Sequence, residues 1–103
     1  MGSKKKGFLF GGNCIVDRVK IINRFPRKGT LANITSQTRG AGGAPLNNSI
    51  NIKTLDPDMD VAVMGKVGDD PDGSFILETL KARSIDTSEI KTTSSAATSY
   101  TDV

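Results

Sequence analysis

Short apolar runs, separated by glycines, prolines and charges, predict a chain of alternating strands and helices. Residues 7–16 and 61–67 read GFLFGGNCIV and VAVMGKV, and such continuous apolar runs are typical of strands buried on both faces of a parallel sheet. Two further strands are expected at residues 89–92 and from Tyr100 onward. Because alternating strands and helices imply crossover connections, the predicted fold class is α/β with a parallel sheet.

Two helices are expected between these strands. Pro45 suits the first turn of a helix that runs to about Leu55, because its missing N–H group costs nothing there. This segment is rich in asparagine and is a weak helix former. Either packing of its apolar residues Leu46, Ile50 and Leu55 or the contacts of its first turn must therefore hold it. The second helix is expected after a cap at Asp70, and it has an apolar side through residue 82.

A two-strand excursion is predicted between the first strand and the first helix. Val19, Ile21 and Phe25 alternate with charged residues up to a proline, and residues 27–29 read as a turn. The threonine-rich residues 31–39 can return as an outer strand. Because exposed strand edges can pair with another chain, a homodimer through these strands is one expectation.

The net charge of +3 is distributed unevenly. Residues 1–40 carry nine lysines and arginines against one acid, whereas residues 41–103 carry five against ten acids. A basic half can bind nucleic acid, but aromatic residues are not interleaved with these bases, so differently solvated faces of one fold explain the charge better. Residues 1–6 are expected to form a flexible charged tail.

The residue types present narrow the chemistry. The chain has no histidine, which removes the usual general base and zinc ligand, and its single cysteine, Cys14, cannot form an intrachain disulfide. No apolar run approaches the roughly 20 residues of a membrane span. We therefore expect a cytoplasmic protein without membrane contact.

Polar and glycine-rich positions are expected to gather at one end of the sheet. Asp17 follows the first apolar run, which predicts a place just past the carboxyl end of the first strand. Gly42 and Gly43 precede the first helix, where backbone N–H groups can be approached closely, and Asn47 lies in its first turn. Taken singly, each has an ordinary structural explanation: Asp17 is a charge at the end of a strand, the glycines form a turn, and Asn47 satisfies backbone groups at a helix start. Together, a carboxylate, bare backbone and a carboxamide can bind a polyhydroxylated ligand.

In order along the chain, five segments resemble the amino-terminal part of the ribokinase (PfkB) family of carbohydrate kinases. They read GGNCIVD, FPRKGT, GAGGAPLNNS, VAVMGKVGDDPDG and IDTSEI. The strand-end acid of the family falls on Asp17, and its GG-x-x-x-N pattern falls on Gly42, Gly43 and Asn47. The G-x-V-G-x-D-x-x-G motif falls on Gly65, Val67, Gly68, Asp70 and Gly73.

The resemblance implies a ribokinase-like, Rossmann-like three-layer sandwich with a parallel sheet core and a small β lid. Residues 7–103 would be the amino-terminal part of a single sugar-kinase domain, with lid strands near 17–39 and 98–103. The last expected strand has only just begun at Val103, which also favours a truncated part of a longer kinase over a complete small protein.

The resemblance also implies roles for individual residues. Asp17 and Asn47 would hold hydroxyl groups of the phosphoryl acceptor, and Gly42 and Gly43 would bring backbone against the same molecule. Ile15, Ile34 and Tyr100 are candidates for an apolar contact with it. Some family members have a lysine between the di-glycine and the asparagine, where this chain has Ala-Pro-Leu. This difference argues against a ribose-type acceptor and leaves fructose-like, deoxygluconate-like, nucleoside-like and other acceptors open.

The catalytic part of the family pattern is missing from this chain. Phosphoryl transfer in the family uses a carboxyl-terminal G-A-G-D segment whose aspartate is the base, and no such segment occurs here. The glycines at 40–43 lack the lysine and hydroxyl residue of a Walker loop, and Asp69 and Asp70 are interpreted as turn and cap rather than metal ligands. ATP and Mg²⁺ are therefore expected for the full-length parent, and the chain alone is expected to be inactive. A short binding or dimerisation module and a basic nucleic-acid binder are the alternatives.

Overall fold

The computed structural model describes residues 6–103, and most of the tail predicted at residues 1–6 lies outside this range. In the described part, six strands and two helices follow one another in the order β1 (Gly7–Gly11), β2 (Ile15–Ile22), β3 (Ile34–Gly42), α1 (Ala44–Leu55), β4 (Asp60–Gly68), α2 (Pro71–Ala82), β5 (Asp86–Thr93) and β6 (Ser99–Asp102).

A parallel sheet with two helices on one face forms the core. Its strand order is β1-β4-β5, and both neighbouring pairs are parallel. Leu46 from α1 and Ile76 and Leu80 from α2 are fully buried in one cluster with Val61 and Val63 of β4. The α/β prediction is therefore confirmed. Within residues 6–103, neither helix is long and apolar enough to cross a membrane.

Packing against the core stabilises α1, whose intrinsic helix propensity is weak. Leu46 is fully buried, which contributes roughly 2 kcal/mol by the area it removes from water, and Ile50 packs against the same cluster. Ser49 is also fully buried, and its hydroxyl donates to the Leu46 carbonyl at 3.1 Å. The prediction that Leu55 helps to hold the helix is wrong, since Leu55 is the last helical residue and is 82% exposed.

The predicted excursion forms a second sheet together with the end of the chain. Its strand order is β3-β2-β6; β2 is antiparallel to β3 and parallel to β6. In the register of this sheet, Asp17 lies directly between Gly40 of β3 and Thr101 of β6. Because alternate residues of a strand face opposite sides, Asp17 shares a face with Ile15, while Val16 points to the core.

The interpretation of residues 7–16 as one strand buried on both faces is wrong. β1 ends at Gly11 and β2 begins at Ile15, in the other sheet. Phe8 and Leu9 are 45% and 55% exposed, because β1 is an edge strand and Leu9 lies on the face opposite the helices. The apolar run therefore contains two strands, both of which contribute residues to the core. The break between them, at residues 12–14, could not be distinguished because glycines occur throughout the run.

Candidate functional site

The di-glycine loop joins the second sheet to α1. Gly42 ends β3, and Gly43 caps α1 with φ 87° and ψ 155°, a conformation that is open almost only to glycine. The Gly43 carbonyl accepts the first helical hydrogen bond from the Asn47 N–H at 3.0 Å. A Cβ atom on Gly43 would collide with the backbone carbonyl of Asn13, so the loop lies directly against the segment between β1 and β2.

The Asp17 carboxylate lies between Gly42 and Thr101. Thr101 Oγ1 donates a hydrogen bond to Asp17 Oδ1 at 2.6 Å. A Cβ atom on Gly42 would lie 2.5 Å from Asp17 Oδ2 and 2.8 Å from its Cγ, so the carboxylate fills the space that a side chain at position 42 needs. The di-glycine and the acid predicted from the sequence are therefore in direct contact.

The position of Asp17 within its strand differs from the expectation. It is the third residue of β2, in the second sheet, and does not follow the carboxyl end of a strand of the parallel sheet. The reason is the break after Gly11, which assigns the second half of the apolar run to another sheet. The carboxylate reaches the di-glycine loop sideways across the β2–β3 ladder.

Asn47 lies one helical turn beyond the di-glycine and is exposed. It borders a groove of about 420 Å³ that is also lined by Gly40 and Ala41 of β3 and Phe75 of α2. No hydrogen bond among the described residues links the Asn47 carboxamide to Asp17. The structure thus joins Asp17 to Gly42 by contact. Asn47 instead borders a groove on the face of the second sheet that carries Arg39 and Ala41, opposite the face of Asp17, and the structure does not bring the two side chains together.

The three apolar candidates lie in different places. Ile15 shares the face of Asp17, and its Cγ1 would lie 3.5 Å from a Cβ on Gly43, which places it beside the loop. Tyr100 lies on the opposite face, where the Arg18 guanidinium lies 3.9 Å from its ring centroid. Ile34 is at the start of β3 and is 54% exposed. Of the three, Ile15 is the one adjacent to the di-glycine.

Asp70 has a larger role than the helix cap predicted from the sequence. As expected, its Oδ1 accepts from the N–H of Gly73 at 2.7 Å. The same carboxylate also accepts from the hydroxyl of Thr98 at 2.6 Å and from its N–H at 2.9 Å. Thr98, which is 4% exposed, in turn accepts from the Gly68 N–H at 2.8 Å. We call these four residues the Asp70–Thr98 clasp. It ties the segment before β6 to the β4–α2 turn, a link that no local motif indicates.

The clasp predicts a pH dependence of stability. Hydrogen bonds from the Thr98 hydroxyl, the Thr98 N–H and the Gly73 N–H hold the pKa of Asp70 below its ordinary value. A carboxyl whose pKa is lowered by folding stabilises the protein above its unfolded pKa, and this contribution is lost as the pH falls through the folded pKa. We therefore expect the free energy of unfolding to decrease as the pH is lowered below about 4. Asp70→Asn should remove this part of the acid dependence.

Urea unfolding of the wild type and the variant between pH 3 and 6 measures the effect. Asp58→Asn, in the exposed turn after α1, is the matched control and should keep the wild-type slope. If the free energy of unfolding of Asp70→Asn depends on pH in the same way as that of the wild type, the hydrogen bonds of the clasp do not stabilise the protein as proposed.

Ion pairs fix the second sheet to α2. Asp72 accepts from Arg18 of β2 at 2.6 Å and from Arg39 of β3 at 3.3 Å. The Arg39 guanidinium also lies 4.5 Å from the centroid of the Phe75 ring. Lys20 pairs with Asp102 in β6. Three basic residues of the first 40 thus form ion pairs with acidic residues of the later part of the chain. These pairs favour the interpretation that the uneven charge reflects differently solvated faces of one fold.

Among residues 6–103, no three cysteine or acidic side chains converge to hold a metal ion. The loop at Gly42–Gly43 is closed on one side by the Asn13 carbonyl, an acceptor that repels a phosphate.

Comparison with known proteins gives a consistent result. The family model described as pfkB family carbohydrate kinase matches residues 9–101. A fructokinase with bound ATP from Xylella fastidiosa is similar with a TM-score of 0.76 and 27% identity, covering 97% of this chain and 30% of that one. A nucleoside kinase from Methanocaldococcus jannaschii, described as an archaeal member of the ribokinase family, has a TM-score of 0.76 and 25% identity, covering 99% and 35%.

A fructokinase from Halothermothrix orenii has a TM-score of 0.75 and 26% identity, covering 95% of this chain and 33% of that one. The curated protein sequences compared with the chain gave no match. The chain thus spans between 30% and 35% of the length of these three solved structures. The likeness confirms the ribokinase-like fold expected from the sequence.

Proposed function

Because the chain belongs to the pfkB family of carbohydrate kinases, we propose that it is the acceptor-binding part of a longer, ATP-dependent kinase that phosphorylates a sugar or nucleoside-like hydroxyl compound. The observation that supports this most is the Asp17 carboxylate, packed against Gly42 and fixed by Thr101 beside a helix start. A carboxylate held in this way accepts hydrogen bonds from ligand hydroxyl groups.

Each part of the proposed site has a physical task. Asp17 Oδ2 accepts from an acceptor hydroxyl, while the side-chain amide of Asn47 can both donate and accept. Because Gly42 has no side chain, the Asp17 carboxylate packs directly against the loop, so an acceptor bound to Oδ2 lies close to the start of α1. Ile15 offers an apolar contact on the same face as the acid. The second sheet, with strands near 17–39 and 98–103, is the proposed lid over the acceptor.

ATP and Mg²⁺ belong to the rest of the proposed kinase. When bound there, the nucleotide supplies the phosphoryl group and the metal ion neutralises charge on its phosphates. The residues of this chain bind and orient the acceptor and exclude water from one side of it. The chain alone is therefore proposed to be without kinase activity, and the parent kinase is proposed to act in the cytoplasm.

An acceptor panel tests this proposal. The full-length kinase that contains these residues is incubated with ATP, Mg²⁺ and D-fructose, 2-keto-3-deoxygluconate or adenosine, and the phosphorylated product is detected by mass spectrometry. We expect saturable turnover of at least one acceptor by the full-length kinase and none by the 103-residue chain. Turnover by the chain alone, or none of the three acceptors phosphorylated by the full-length kinase, contradicts the proposal.

A homodimer through the lid strands is proposed as the assembly. The turn between β2 and β3 exposes Phe25 by 93% and Leu31 by 87%, and β3 is an edge strand. Exposed apolar side chains beside an unpaired strand edge favour association with a second copy.

Sedimentation velocity measures this association. Leu31→Ser should shift a dimer to monomer at micromolar concentration. Leu55→Ser, at an equally exposed leucine at the end of α1, should leave the dimer intact. A monomeric wild type, or a loss of the dimer in both variants, contradicts the proposed interface.

A further inference from the structure

We infer that Thr101 is a positioning residue that fixes the acceptor-binding carboxylate and thereby sharpens acceptor specificity; this inference rests on the proposed function. Thr101 and Asp17 are paired residues of neighbouring strands and point to the same face. The bond from Thr101 Oγ1 to Asp17 Oδ1 is short, at 2.6 Å, as expected for a hydroxyl that donates to a charged oxygen.

The two contacts leave one oxygen of Asp17 for the acceptor. Oδ1 accepts the Thr101 hydroxyl, and among the described residues no donor is bonded to Oδ2. Gly42 closes one side of the carboxylate, because any Cβ there would meet it. Held between these neighbours, the carboxylate cannot turn freely to follow a misplaced hydroxyl. It therefore presents Oδ2 in one direction, which favours acceptors with a hydroxyl group at that point over analogues that lack it.

Thr101 is itself held in a fixed place. β6 is a short strand that pairs with β2 over four residues, from Ser99 to Asp102. Three residues before Thr101, the buried Thr98 is bound into the Asp70–Thr98 clasp. The clasp anchors the start of β6, so the Thr101 hydroxyl meets Asp17 in a fixed register. The β4–α2 turn is thus coupled to the acceptor carboxylate through the two residues that separate Thr98 from Thr101.

Replacement of Thr101 in the full-length kinase tests the inference. Thr101→Val keeps the shape of the side chain and removes the hydroxyl, whereas Thr101→Ser keeps the hydroxyl. Kinetics are measured with whichever of D-fructose, 2-keto-3-deoxygluconate or adenosine the wild type phosphorylates fastest. For Thr101→Val we expect the KM of the acceptor to rise roughly tenfold, with kcat and the KM of ATP within about twofold. Thr101→Ser should remain within about threefold of the wild type.

A matched control separates positioning from a general loss of structure. Thr92 is an exposed threonine on β5 with no side-chain hydrogen bond among the described residues, so Thr92→Val should leave all constants unchanged. If Thr101→Val behaves as the wild type, or Thr101→Ser loses as much as Thr101→Val, the inference is overturned.

A second readout does not depend on activity. Three-bond couplings to the Asp17 carboxyl carbon report its χ1 angle in solution. We expect one rotamer in the wild type and averaged rotamers in Thr101→Val, with the backbone amide spectrum retained. If the Asp17 couplings are averaged in the wild type as well as in Thr101→Val, the inference is overturned. If no acceptor of the panel is phosphorylated, the proposed function fails, and the couplings alone then decide whether Thr101 positions Asp17.

Discussion

Asp17→Asn is expected to lower kcat/KM for the acceptor roughly a hundredfold while the KM of ATP stays within about twofold. The substitution keeps the shape of the side chain but replaces a charged acceptor by a neutral amide. A hydrogen bond to a charged group contributes about 1.5–3 kcal/mol, and each 1.4 kcal/mol is a factor of ten in binding. The amide also turns an N–H₂ group toward either Thr101 or the acceptor hydroxyl, where an oxygen is needed.

Steady-state kinetics with both substrates varied separate the two constants. Asp58→Asn, an exposed aspartate in the turn after α1, carries the same change of charge and should leave both constants unaltered. An equal rise of the two KM values for Asp17→Asn contradicts an acceptor-specific role. An unchanged kcat/KM for the acceptor contradicts the proposed site altogether.

Alanine at the two neighbouring glycines is expected to have opposite consequences. At Gly43 the added Cβ meets the Asn13 carbonyl, and φ 87° with ψ 155° is strained for any side chain. Backbone cannot move aside easily, so Gly43→Ala should cost at least about 3 kcal/mol of folding free energy. At Gly42 the added Cβ meets only the carboxylate end of the Asp17 side chain, which can rotate away once its hydrogen bond to Thr101 is broken. Gly42→Ala should therefore stay folded and lose acceptor binding.

Urea unfolding and acceptor kinetics on the same two variants measure this contrast. We expect a lower unfolding midpoint for Gly43→Ala, and a near-native midpoint with an acceptor KM raised more than tenfold for Gly42→Ala, since the carboxylate is displaced. Gly42→Ala combined with Asp17→Asn should add little to either single change, because both remove the same interaction. Native acceptor kinetics in Gly42→Ala contradict the proposed contact between substrate and carboxylate.

The parts of the fold that the sequence predicted are those with strong local chemistry. The cap at Asp70 followed by proline and the start of α1 after Gly43 were both placed correctly, because they depend on neighbouring residues alone. The return of residues 31–39 as an outer strand beside β2 is also confirmed, with bounds shifted to Ile34–Gly42.

The features that could not be predicted from the sequence depend on contacts between residues that are distant in the chain. The break between Gly11 and Ile15 could not be read from apolar character, because Cys14 on the break is itself buried in the core. Burial also raises the pKa of the Cys14 thiol, as expected of a side chain that packs rather than reacts. No local signal indicated a role for Thr98, and Thr101 was predicted only as part of the strand that begins at Tyr100. Their roles arise only when β6 is brought beside β2.

A crystal structure of the full-length kinase with its preferred acceptor tests the central claim most directly. The claim is that Asp17, the di-glycine backbone and Asn47 bind one hydroxyl compound together. We predict the acceptor beside Gly42 and Gly43, with one hydroxyl group within about 3 Å of Asp17 Oδ2 and another within the same distance of the Asn47 carboxamide. An acceptor bound elsewhere, or one that contacts Asp17 while Asn47 faces away from it, contradicts this account.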